Sequence, residues 1–387
     1  MKVSFITTIL NEESEVTKLI NSLLIQTRLP DDVVIVDGGS RDDTIARIRN
    51  YESGIRGKKL KVNLLIKPGN RSMGRNQAVR KASGDIIVCS DSGNILDKKW
   101  IENITKPFTD SGVDVVAGYY KGLAKNIFQR CLIPYVLVMP DKVDPMKFLP
   151  ATRSIAFKKS VWKRVGGFDE KFSHNEDYVF AKRLKNIDAK IVFAKNAVVN
   201  WIPRNSYKDA FVMFFRFALG DAESKTLRPK VIFLFMRYLV GLLIMANVYI
   251  SKSFIPIFIF LILLVGYFVW AIGKNYKYVK NSKAIFHLPL LQFTSDIAVM
   301  LGTFFGAAKT FLVKWIGAFL FLSGIIFLSF RYIRNLFPIP RIGNEKIIGY
   351  AQYYGYPFYF DTILFFIFIF LPVFIFVILT KFIKDEK

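Results

Sequence analysis

The segment DDVVIVDGGSRDDT, residues 31–44, is the main basis for the fold that we predict for the first half of the chain. Its apolar run has the length of a buried strand and ends at Asp37. Gly38 and Gly39 follow, and glycine permits a positive φ or a close backbone approach to a ligand. A helical pattern begins after these turn residues, so the segment predicts a strand, a loop and a helix in succession.

The same alternation continues through the first 230 residues. Apolar runs of five to seven residues alternate with helix-length polar patterns, which is typical of a βα-type sheet domain. The predicted strands are 2–9, 32–37, 61–66, 85–90 and 113–119. The first predicted helix has one apolar face, formed by Val16, Leu19, Ile20, Leu23 and Leu24. We therefore predict an α/β fold with a half-wound parallel sheet.

The composition excludes a disordered chain and indicates contact with lipid. The chain has 387 residues, 52% of them hydrophobic, including 38 Phe. Its net charge is +25, but no dense basic run and no nucleic-acid module accompany the charge, so no nucleic-acid partner is expected. The excess suits an anionic membrane face and phosphate-bearing ligands. Two cysteines are too few for a disulfide framework, which fits a reducing, cytoplasmic setting for the non-membrane part.

Three regions are predicted along the chain. Residues 1–204 form the sheet domain, 205–230 an amphipathic interfacial helix and linker, and 231–387 a transmembrane domain. A membrane-crossing helix needs about 20 apolar residues. The stretches that meet this need are about 231–250, 254–272, 311–330 and 361–380. The stretch 285–307 is either interfacial or spanning, and the side of the C-terminus depends on that choice.

The predicted helix near residue 210 has an apolar and a polar face. Its apolar face includes Phe211, Phe214 and Phe215, whereas Lys208 and Arg216 lie on the other face. The pattern is typical of an interfacial helix, and an ordinary core helix is the alternative. The proximity of the next apolar span favours the membrane surface, which would suit an acceptor carried on a polyprenyl lipid.

Polar residues follow three of the predicted strands. Asn11 and Glu12 follow the first, Asp37 ends the second, and Asp91 follows the fourth. In such sheets ligands bind beyond the carboxyl ends of the strands, so these residues predict a polar pocket. Asp37 has an alternative reading as part of a turn before a capped helix. Small residues and Asn94 follow Asp91, and a carboxylate at this point could hold a divalent ion that bridges phosphates, since Mg²⁺ and Mn²⁺ favour oxygen ligands.

Two further segments carry candidate residues. In the helical pattern at 71–81, Arg75 is suited to phosphate, although a solvated helix face is the alternative. Glu176 and Asp177 begin a later helix. Acidic residues there are commonly dipole partners, yet a carboxylate at the lip of a cleft is also what a general base requires.

Five blocks in this order resemble the family 2 glycosyltransferases with the GT-A fold. They are VSFITTILNEE at 3–13, IVDGGSRDDT at 35–44, GRNQAVRKASGDIIVCSDSGN at 74–94, RSIAFKKSVWKRVGGFDEKF at 153–172 and NEDYVFAKRL at 175–184. The resemblance implies a GT-A, Rossmann-like mixed sheet. It also implies inverting transfer of a sugar from a nucleotide-diphosphate sugar.

The resemblance also implies roles for the candidate residues. Asn11, Glu12 and Asp37 would line the nucleoside pocket, and Arg75 would face the donor phosphates. Asp91 would open the metal-binding Asp-x-Asp element for Mg²⁺ or Mn²⁺. Asp177 would be the catalytic base, oriented by Glu176.

This chain departs from the family pattern at two positions. The acid pair after the second strand is Asp37-Gly38, which leaves the nucleotide base open. The Asp-x-Asp element reads Asp91-Ser92-Gly93, which leaves Asn94 as the second metal ligand and weakens the expectation of metal dependence.

The layout resembles membrane glycosyltransferases of exopolysaccharide and cell-envelope glycan assembly. The expected protein is a multi-pass cell-membrane enzyme whose catalytic domain lies on the cytoplasmic face. Its expected partners are a nucleotide sugar, a polyprenyl-linked or glycan acceptor, and membrane lipids. Two alternatives stay open: a polyprenyl-phosphate sugar synthase, and a non-catalytic transporter or scaffold that binds nucleotide sugar.

Overall fold

One mixed sheet of eight strands organises the first part of the chain. The computed structural model describes residues 1–54, 62–226, 228–251 and 254–307. The strands are β1 Val3–Ile9, β2 Asp32–Asp37, β3 Val62–Ile66, β4 Ile86–Cys89, β5 Asn94–Leu96, β6 Val115–Gly122, β7 Ile155–Lys158 and β8 Ile191–Trp201. The helices are α1 Glu13–Leu24, α2 Thr44–Gly54, α3 Arg71–Lys81, α4 Trp100–Thr105, α5 Ile127–Val136, α6 Lys159–Arg164, α7 Glu176–Asn186, α8 Tyr207–Glu223, α9 Pro229–Ser251, α10 Ile255–Val279 and α11 Ala284–Ala307.

The strand order is β3-β2-β1-β4-β7-β6-β8-β5. The first four strands in this order are parallel, with Ile9 opposite Asp37 and Ile6 opposite Cys89. β7 is antiparallel to both β4 and β6, and β5 is antiparallel to β8. The α/β class and the mixed sheet are confirmed. Because β2, β1 and β4 are parallel neighbours, their carboxyl ends meet at one edge of the sheet.

Side chains alternate between two hydrophobic cores, one on each face of the sheet. Along β1, Phe5 packs into one core and Ile6 into the other, as the two-residue period of a strand requires. In β2, Ile35 joins Phe5, whereas Val34 joins Ile6. Burial on both faces explains why these strands are continuous apolar runs in the sequence.

The chain divides into two compact units, residues 1–213 with 271–294, and residues 214–270 with the chain from 295 onward. Within the described residues, α10 and α11 are long and apolar enough to cross a membrane by length and composition. α10 contains the predicted span at 254–272, and α11 coincides with the stretch 285–307. α9 coincides with the span at 231–250, some of whose side chains the structure does not describe. The spans at 311–330 and 361–380 lie outside the described residues, so a domain of four or five crossings stays a prediction.

α8 packs closely on α11 in the second unit. A Cβ atom added at Gly302 would lie 2.4 Å from the carbonyl oxygen of Phe215, and one at Gly306 would lie 2.5 Å from that of Leu219. Phe214 and Ala218 are buried, whereas Phe217 on the same helix is exposed. The apolar face predicted for this helix is therefore partly used in packing, and its position at a membrane surface stays a prediction.

Candidate active site

The loops that follow β1 and β2 are joined by hydrogen bonds at the carboxyl edge of the sheet. The Oδ1 atom of Asn11 accepts a bond of 2.9 Å from the Arg41 backbone N–H. The backbone N–H of Asn11 donates to Ser40 Oγ at 2.8 Å, and that of Glu12 donates to Thr44 Oγ1 at 2.9 Å. The predicted residues Asn11 and Glu12 thus share one surface with the loop after β2.

Asp37 is fully buried, and the described hydrogen bonds of its side chain lie within its own loop. Its Oδ1 atom accepts from the backbone N–H groups of Gly39 and Ser40, each at 2.8 Å, and its Oδ2 atom accepts from the Ser40 hydroxyl. Asp42 accepts from the backbone N–H of Thr44, at the start of α2. These contacts are those of the turn that the sequence offered as an alternative for Asp37. They hold the loop in shape.

Arg75 connects two of the predicted acidic residues beneath the surface of the site. Its side chain is only 3% exposed and forms ion pairs with Glu176 and, at 2.9 Å, with Asp91 Oδ1. Burial lowers the pKa of Arg75, but the two carboxylates outweigh burial and raise the pKa above its ordinary value. Arg75 therefore stays charged, and it ties the end of β4 to the start of α7.

The packing of α3 against the sheet places Arg75 at this position. A Cβ atom added at Gly74 would lie 2.8 Å from Thr8 Cγ2, so the helix approaches β1 as closely as a glycine allows. The next residue after Arg75, Asn76, donates to the Phe168 carbonyl oxygen and accepts from the Phe168 N–H, both at 2.8 Å. One buried polar face of α3 therefore anchors the segment that leads to α7.

The start of α7 brings Glu176 and Asp177 to the same site. The preceding residue, Asn175, has a positive φ of 63°, which turns the chain sharply into the helix. Burial, followed by the charge of Glu176, raises the pKa of Asp177 to about 6, although Arg75 opposes the shift. Asp177 Oδ1 accepts from the Tyr178 N–H at 2.8 Å. A carboxylate in this state is ionised at neutral pH and holds a proton more readily than an ordinary aspartate.

Asp91 differs from Asp177 in the direction of its pKa shift. Burial acts to raise the pKa of Asp91, but the guanidinium groups of Arg75, Arg153 and Arg71 outweigh burial and hold the pKa below its usual value. The two carboxylates are therefore tuned in opposite directions by their surroundings. Such a difference between neighbouring acids is typical of catalytic sites, where each acid has a separate task.

The donor set for a divalent cation is small. Within the described ranges, no group of three or more His, Cys, Asp or Glu side chains could hold a metal ion. The Oδ1 atom of Asp91 accepts from Arg75 and Thr152, and no described residue donates to Oδ2. The Asn94 Oδ1 atom is buried without a hydrogen-bond partner, while its amide nitrogen donates to Ser90 Oγ. One carboxylate suffices where substrate phosphates complete the coordination of Mg²⁺, so the residues fit an ion that arrives with a phosphate-bearing substrate.

Three residues of the site were not predicted: Arg153, Tyr120 and Trp201. The guanidinium carbon of Arg153 lies 5.2 Å from the centre of the Tyr120 ring and 5.4 Å from that of a Trp201 ring. Arg153 opens the sequence block at 153–172, but nothing in its spacing indicates which side of the sheet it faces. Only the pairing of β6 with β8 brings the two rings together.

The matches to protein families define the class of the protein. The family described as "Glycosyl transferase family 2" matches residues 4–129, and "Glycosyl transferase family 21" matches residues 73–323. Both descriptions name families of glycosyltransferases. Since the second match spans more than half of the chain, the chain belongs to glycosyl transferase family 21. The first match confirms the resemblance to family 2.

Curated relatives of the chain act in glycan biosynthesis. The poly(ribitol-phosphate) beta-N-acetylglucosaminyltransferase TarP of Staphylococcus aureus (strain N315) is 27% identical over 170 residues, which cover 41% of this chain and 50% of TarP. The O-antigen chain rhamnosyltransferase RfbN of Salmonella typhimurium is 24% identical over 54% of this chain and 71% of RfbN. The succinoglycan biosynthesis protein ExoA of Rhizobium meliloti is 26% identical over 56% of this chain and 67% of ExoA. The chain thus spans half of the first relative and about two thirds of the others.

A solved structure also resembles the chain at low identity. It is the mannosyltransferase PcManGT from Pyrobaculum calidifontis in complex with GDP-Man and Mn²⁺, with a TM-score of 0.46 and 17% identity. The likeness covers 84% of this chain and 80% of that protein. It is too distant to assign a donor or a metal to this chain.

Proposed function

We propose that the protein is a membrane-bound inverting glycosyltransferase. It transfers a sugar from a nucleotide-diphosphate sugar to a lipid-linked glycan acceptor in polysaccharide or cell-envelope glycan synthesis. The observation that carries the proposal is the state of Asp177, a carboxylate whose pKa burial raises to about 6. A general base works best when its pKa lies near the working pH and it is still mostly ionised.

The reaction exchanges one bond at the anomeric carbon for another. Asp177 accepts the proton of the acceptor hydroxyl while the hydroxyl oxygen attacks the anomeric carbon from the face opposite the nucleotide. The bond from that carbon to the diphosphate oxygen breaks, and the nucleoside diphosphate leaves with the electron pair. Glu176 orients Asp177 through its ion pair with Arg75.

The donor binds at the carboxyl edge of the sheet. Asn11, Glu12 and the loop shaped by Asp37 form the nucleoside side of the pocket. Arg75 fixes the position of Asp91 and does not contact the donor phosphates itself, because its guanidinium group is almost completely buried and already paired. From the sequence we expected Arg75 to face the donor phosphates directly. In this proposal it is a positioning residue instead.

A divalent cation, Mg²⁺ or Mn²⁺, would be held by Asp91 with Asn94 as the second candidate ligand. When bound, such an ion neutralises negative charge on a diphosphate leaving group.

Two observations support the membrane and acceptor parts of the proposal. Exposed apolar side chains cover α10, including Phe258, Ile262 and Val269 at 65%, 70% and 64% exposure. A helix face with several large, exposed apolar side chains is typical of a lipid or protein contact. TarP, RfbN and ExoA are named for work on poly(ribitol-phosphate), O-antigen chains and succinoglycan, and these names support a role in the synthesis of polysaccharides or cell-envelope polymers. The proposed orientation places the sheet domain on the cytoplasmic face of a multi-pass protein.

A test measures nucleoside diphosphate release by the full chain in nanodiscs. UDP-, GDP- and dTDP-sugars are supplied with a polyprenyl-linked acceptor extract, and the wild type is compared with Asp177→Asn. Release that requires acceptor and falls by roughly 100- to 10,000-fold in Asp177→Asn is the expected result, because this range is typical of general-base catalysis. Equal release by the two proteins would contradict the role of Asp177. A lipid product with one sugar on a bare phosphate would identify a polyprenyl-phosphate sugar synthase.

One observation favours a second candidate function, transport of a sugar or lipid without catalysis. In the second unit, Arg237 of α9 forms an ion pair with Asp296 of α11, and Tyr267 donates to the same carboxylate at 2.9 Å. Paired charges inside membrane helices often line transport paths. Movement of labelled substrate across vesicles, with no sugar transferred under any condition, would favour this candidate over the transferase.

A further inference from the structure

Arg153 is held by two aromatic rings rather than by a carboxylate. Its guanidinium group lies against the rings of Tyr120 on β6 and Trp201 at the end of β8. Its backbone carbonyl oxygen accepts from Ser90 Oγ at 2.9 Å and from the Asn94 side chain at 3.3 Å. The residue is therefore fixed at both ends, and its main chain is tied to the loop that carries Asp91.

The guanidinium N–H groups of Arg153 have no acceptor among the described residues. An arginine has five such donors in a planar fork, and buried or half-buried arginines usually place them on carboxylates. Arg75 shows that ordinary arrangement in the same site, with two carboxylate partners. Arg153 thus offers an oriented, uncommitted cation.

The surroundings of Arg153 are those of the proposed reacting centre. The charge of Arg153 contributes to the lowered pKa of Asp91. The residue before Arg153, Thr152, donates from its hydroxyl to Asp91 Oδ1 at 3.3 Å. Burial raises the pKa of the Tyr120 phenol, Arg153 opposes the shift, and the charge of Asp177 adds to it. Arg153 therefore lies near the proposed metal-side carboxylate, and the Tyr120 ring that it contacts lies near the proposed base.

We infer that Arg153 binds a phosphate group of a substrate at the reacting centre, an inference that rests on the proposed glycosyl transfer. A planar guanidinium group matches two phosphate oxygens, and stacking on aromatic rings leaves its N–H edge available. The phosphate comes either from the donor diphosphate or from the lipid phosphate of the acceptor. Both have the same chemistry, and the two sources are separated by experiment.

A donor phosphate would give Arg153 a part in catalysis. When the bond between the anomeric carbon and the diphosphate oxygen breaks, that oxygen gains negative charge. A positive group already fixed near this oxygen stabilises the transition state without reorganisation. Such a role predicts a loss in both diphosphate affinity and kcat for Arg153→Gln.

A structural role for Arg153 is the competing interpretation. The guanidinium group could simply join the rings of Tyr120 and Trp201, since cation–π contacts contribute to stability. In that case, its replacement would lower the thermal unfolding temperature but leave phosphate affinity unchanged. Affinity and stability therefore have to be measured on the same variants.

The test uses the full chain in nanodiscs with Arg153→Gln, Arg153→Lys and the control Arg130→Gln. Arg130 is an exposed arginine on α5. Binding of UDP and GDP is measured directly and by competition with inorganic pyrophosphate. The KM for a phosphate-bearing lipid acceptor is then measured in the transfer reaction. Arg153→Lys keeps the charge and extends the test if Arg153→Gln does not fold.

If Arg153 binds the diphosphate of the donor, we expect Arg153→Gln to weaken nucleoside diphosphate binding by roughly 10- to 100-fold, which is the usual effect of losing hydrogen bonds to a charged group. Arg153→Lys would lose less, because it keeps the charge without the planar fork. If Arg153 binds the lipid phosphate of the acceptor instead, we expect the nucleoside diphosphate affinity of Arg153→Gln to be unchanged. The KM for the acceptor should then rise by a similar factor. Affinities and acceptor KM that match those of Arg130→Gln would overturn the inference, as would a wild type that binds none of these phosphates. If diphosphate binding depends on Arg153 while the wild type transfers no sugar, the site stands and the transfer proposal fails.

Discussion

The pKa of Asp177 depends on a neighbour that is itself an acid. Burial is the largest cause of the raised value, and the negative charge of Glu176 adds to it, while Arg75 acts in the opposite direction. Tyr120 and Asp91 are two further titratable groups close to this centre. The pH response of the enzyme is therefore a property of the cluster around Asp177.

Replacing Glu176 should move the acidic limb of the pH profile downward. Glu176→Gln removes one negative charge and leaves more of the Arg75 charge uncompensated, and both changes lower the pKa of Asp177. We expect the midpoint of the acidic limb in the pH profile of kcat/KM to lie at a clearly lower pH than in the wild type. The measurement is kcat/KM from pH 4.5 to pH 8, with Glu102→Gln on α4 as the control. An unchanged or upward-shifted limb would contradict the assigned coupling.

Asp177→Asn should stabilise the folded protein in a pH-dependent way. The pKa of Asp177 rises from 3.8 in the unfolded chain to about 6 in the fold. Ionisation of Asp177 therefore costs more free energy in the folded protein than in the unfolded chain. This destabilisation grows as pH rises from about 4 to about 6, and it is fully present above pH 6. The asparagine removes that cost, which is at most about 3 kcal/mol by the usual conversion of pKa shifts. We expect the variant to raise the unfolding temperature at pH 8 and to have little effect at pH 4. A destabilised variant at pH 8 would contradict this account.

The sequence predicted well which residues lie at the site. It predicted less well which atoms each of these residues contacts. Asn11, Asp37 and Asp91 follow adjacent parallel strands, and strand order alone brings them to one edge. The burial of Arg75 was not predictable, because its partners lie 16 and 101 residues away in the chain. Residue type and helical spacing indicate an arginine face but contain no information on such distant partners.

Strand prediction succeeded where a strand is a single apolar run. β2 matches its predicted range, since all six residues of β2 are buried. β8 was missed because exposed Lys195 and Asn196 interrupt its apolar pattern. They lie where the pairing with β6 shifts register, between Gly118 and Tyr119. β5 has only three residues, which is too short to be distinguished from a loop by periodicity.

The contact between α8 and α11 provides a test of helix packing. Gly302→Ala places a Cβ atom 2.4 Å from a backbone oxygen, so one helix has to move. We expect a loss of about 1–3 kcal/mol in unfolding free energy, which is typical of overpacking. Gly266→Ala on α10 is the matched control, because a Cβ atom there meets nothing within 4 Å. Equal thermal unfolding temperatures for the two variants would contradict the described packing.

The protein as a whole combines a sheet domain with helices whose exposed surface is apolar. If α10 crosses a bilayer, lysine at its exposed face should be costly, by about 2.5–3.5 kcal/mol for each residue at the helix centre. Phe258→Lys with Ile262→Lys should therefore lower the fraction of protein that resists extraction from membranes by alkaline carbonate. Lys280→Gln is the control, at an exposed position beyond the end of α10. Full retention of the double-lysine variant in the membrane would contradict the spanning position of α10.

The pH dependence of sugar transfer shows whether Asp177 is the catalytic base. The rate of acceptor glycosylation by the wild type is measured from pH 4.5 to pH 8, beside the residual rate of Asp177→Asn. The account predicts that the wild-type rate rises with pH through a value near 6, as Asp177 loses its proton, and that this limb is absent from the much lower rate of the variant. A limb at the same pH in Asp177→Asn, or a variant as active as the wild type, would contradict the assignment of Asp177 as the catalytic base.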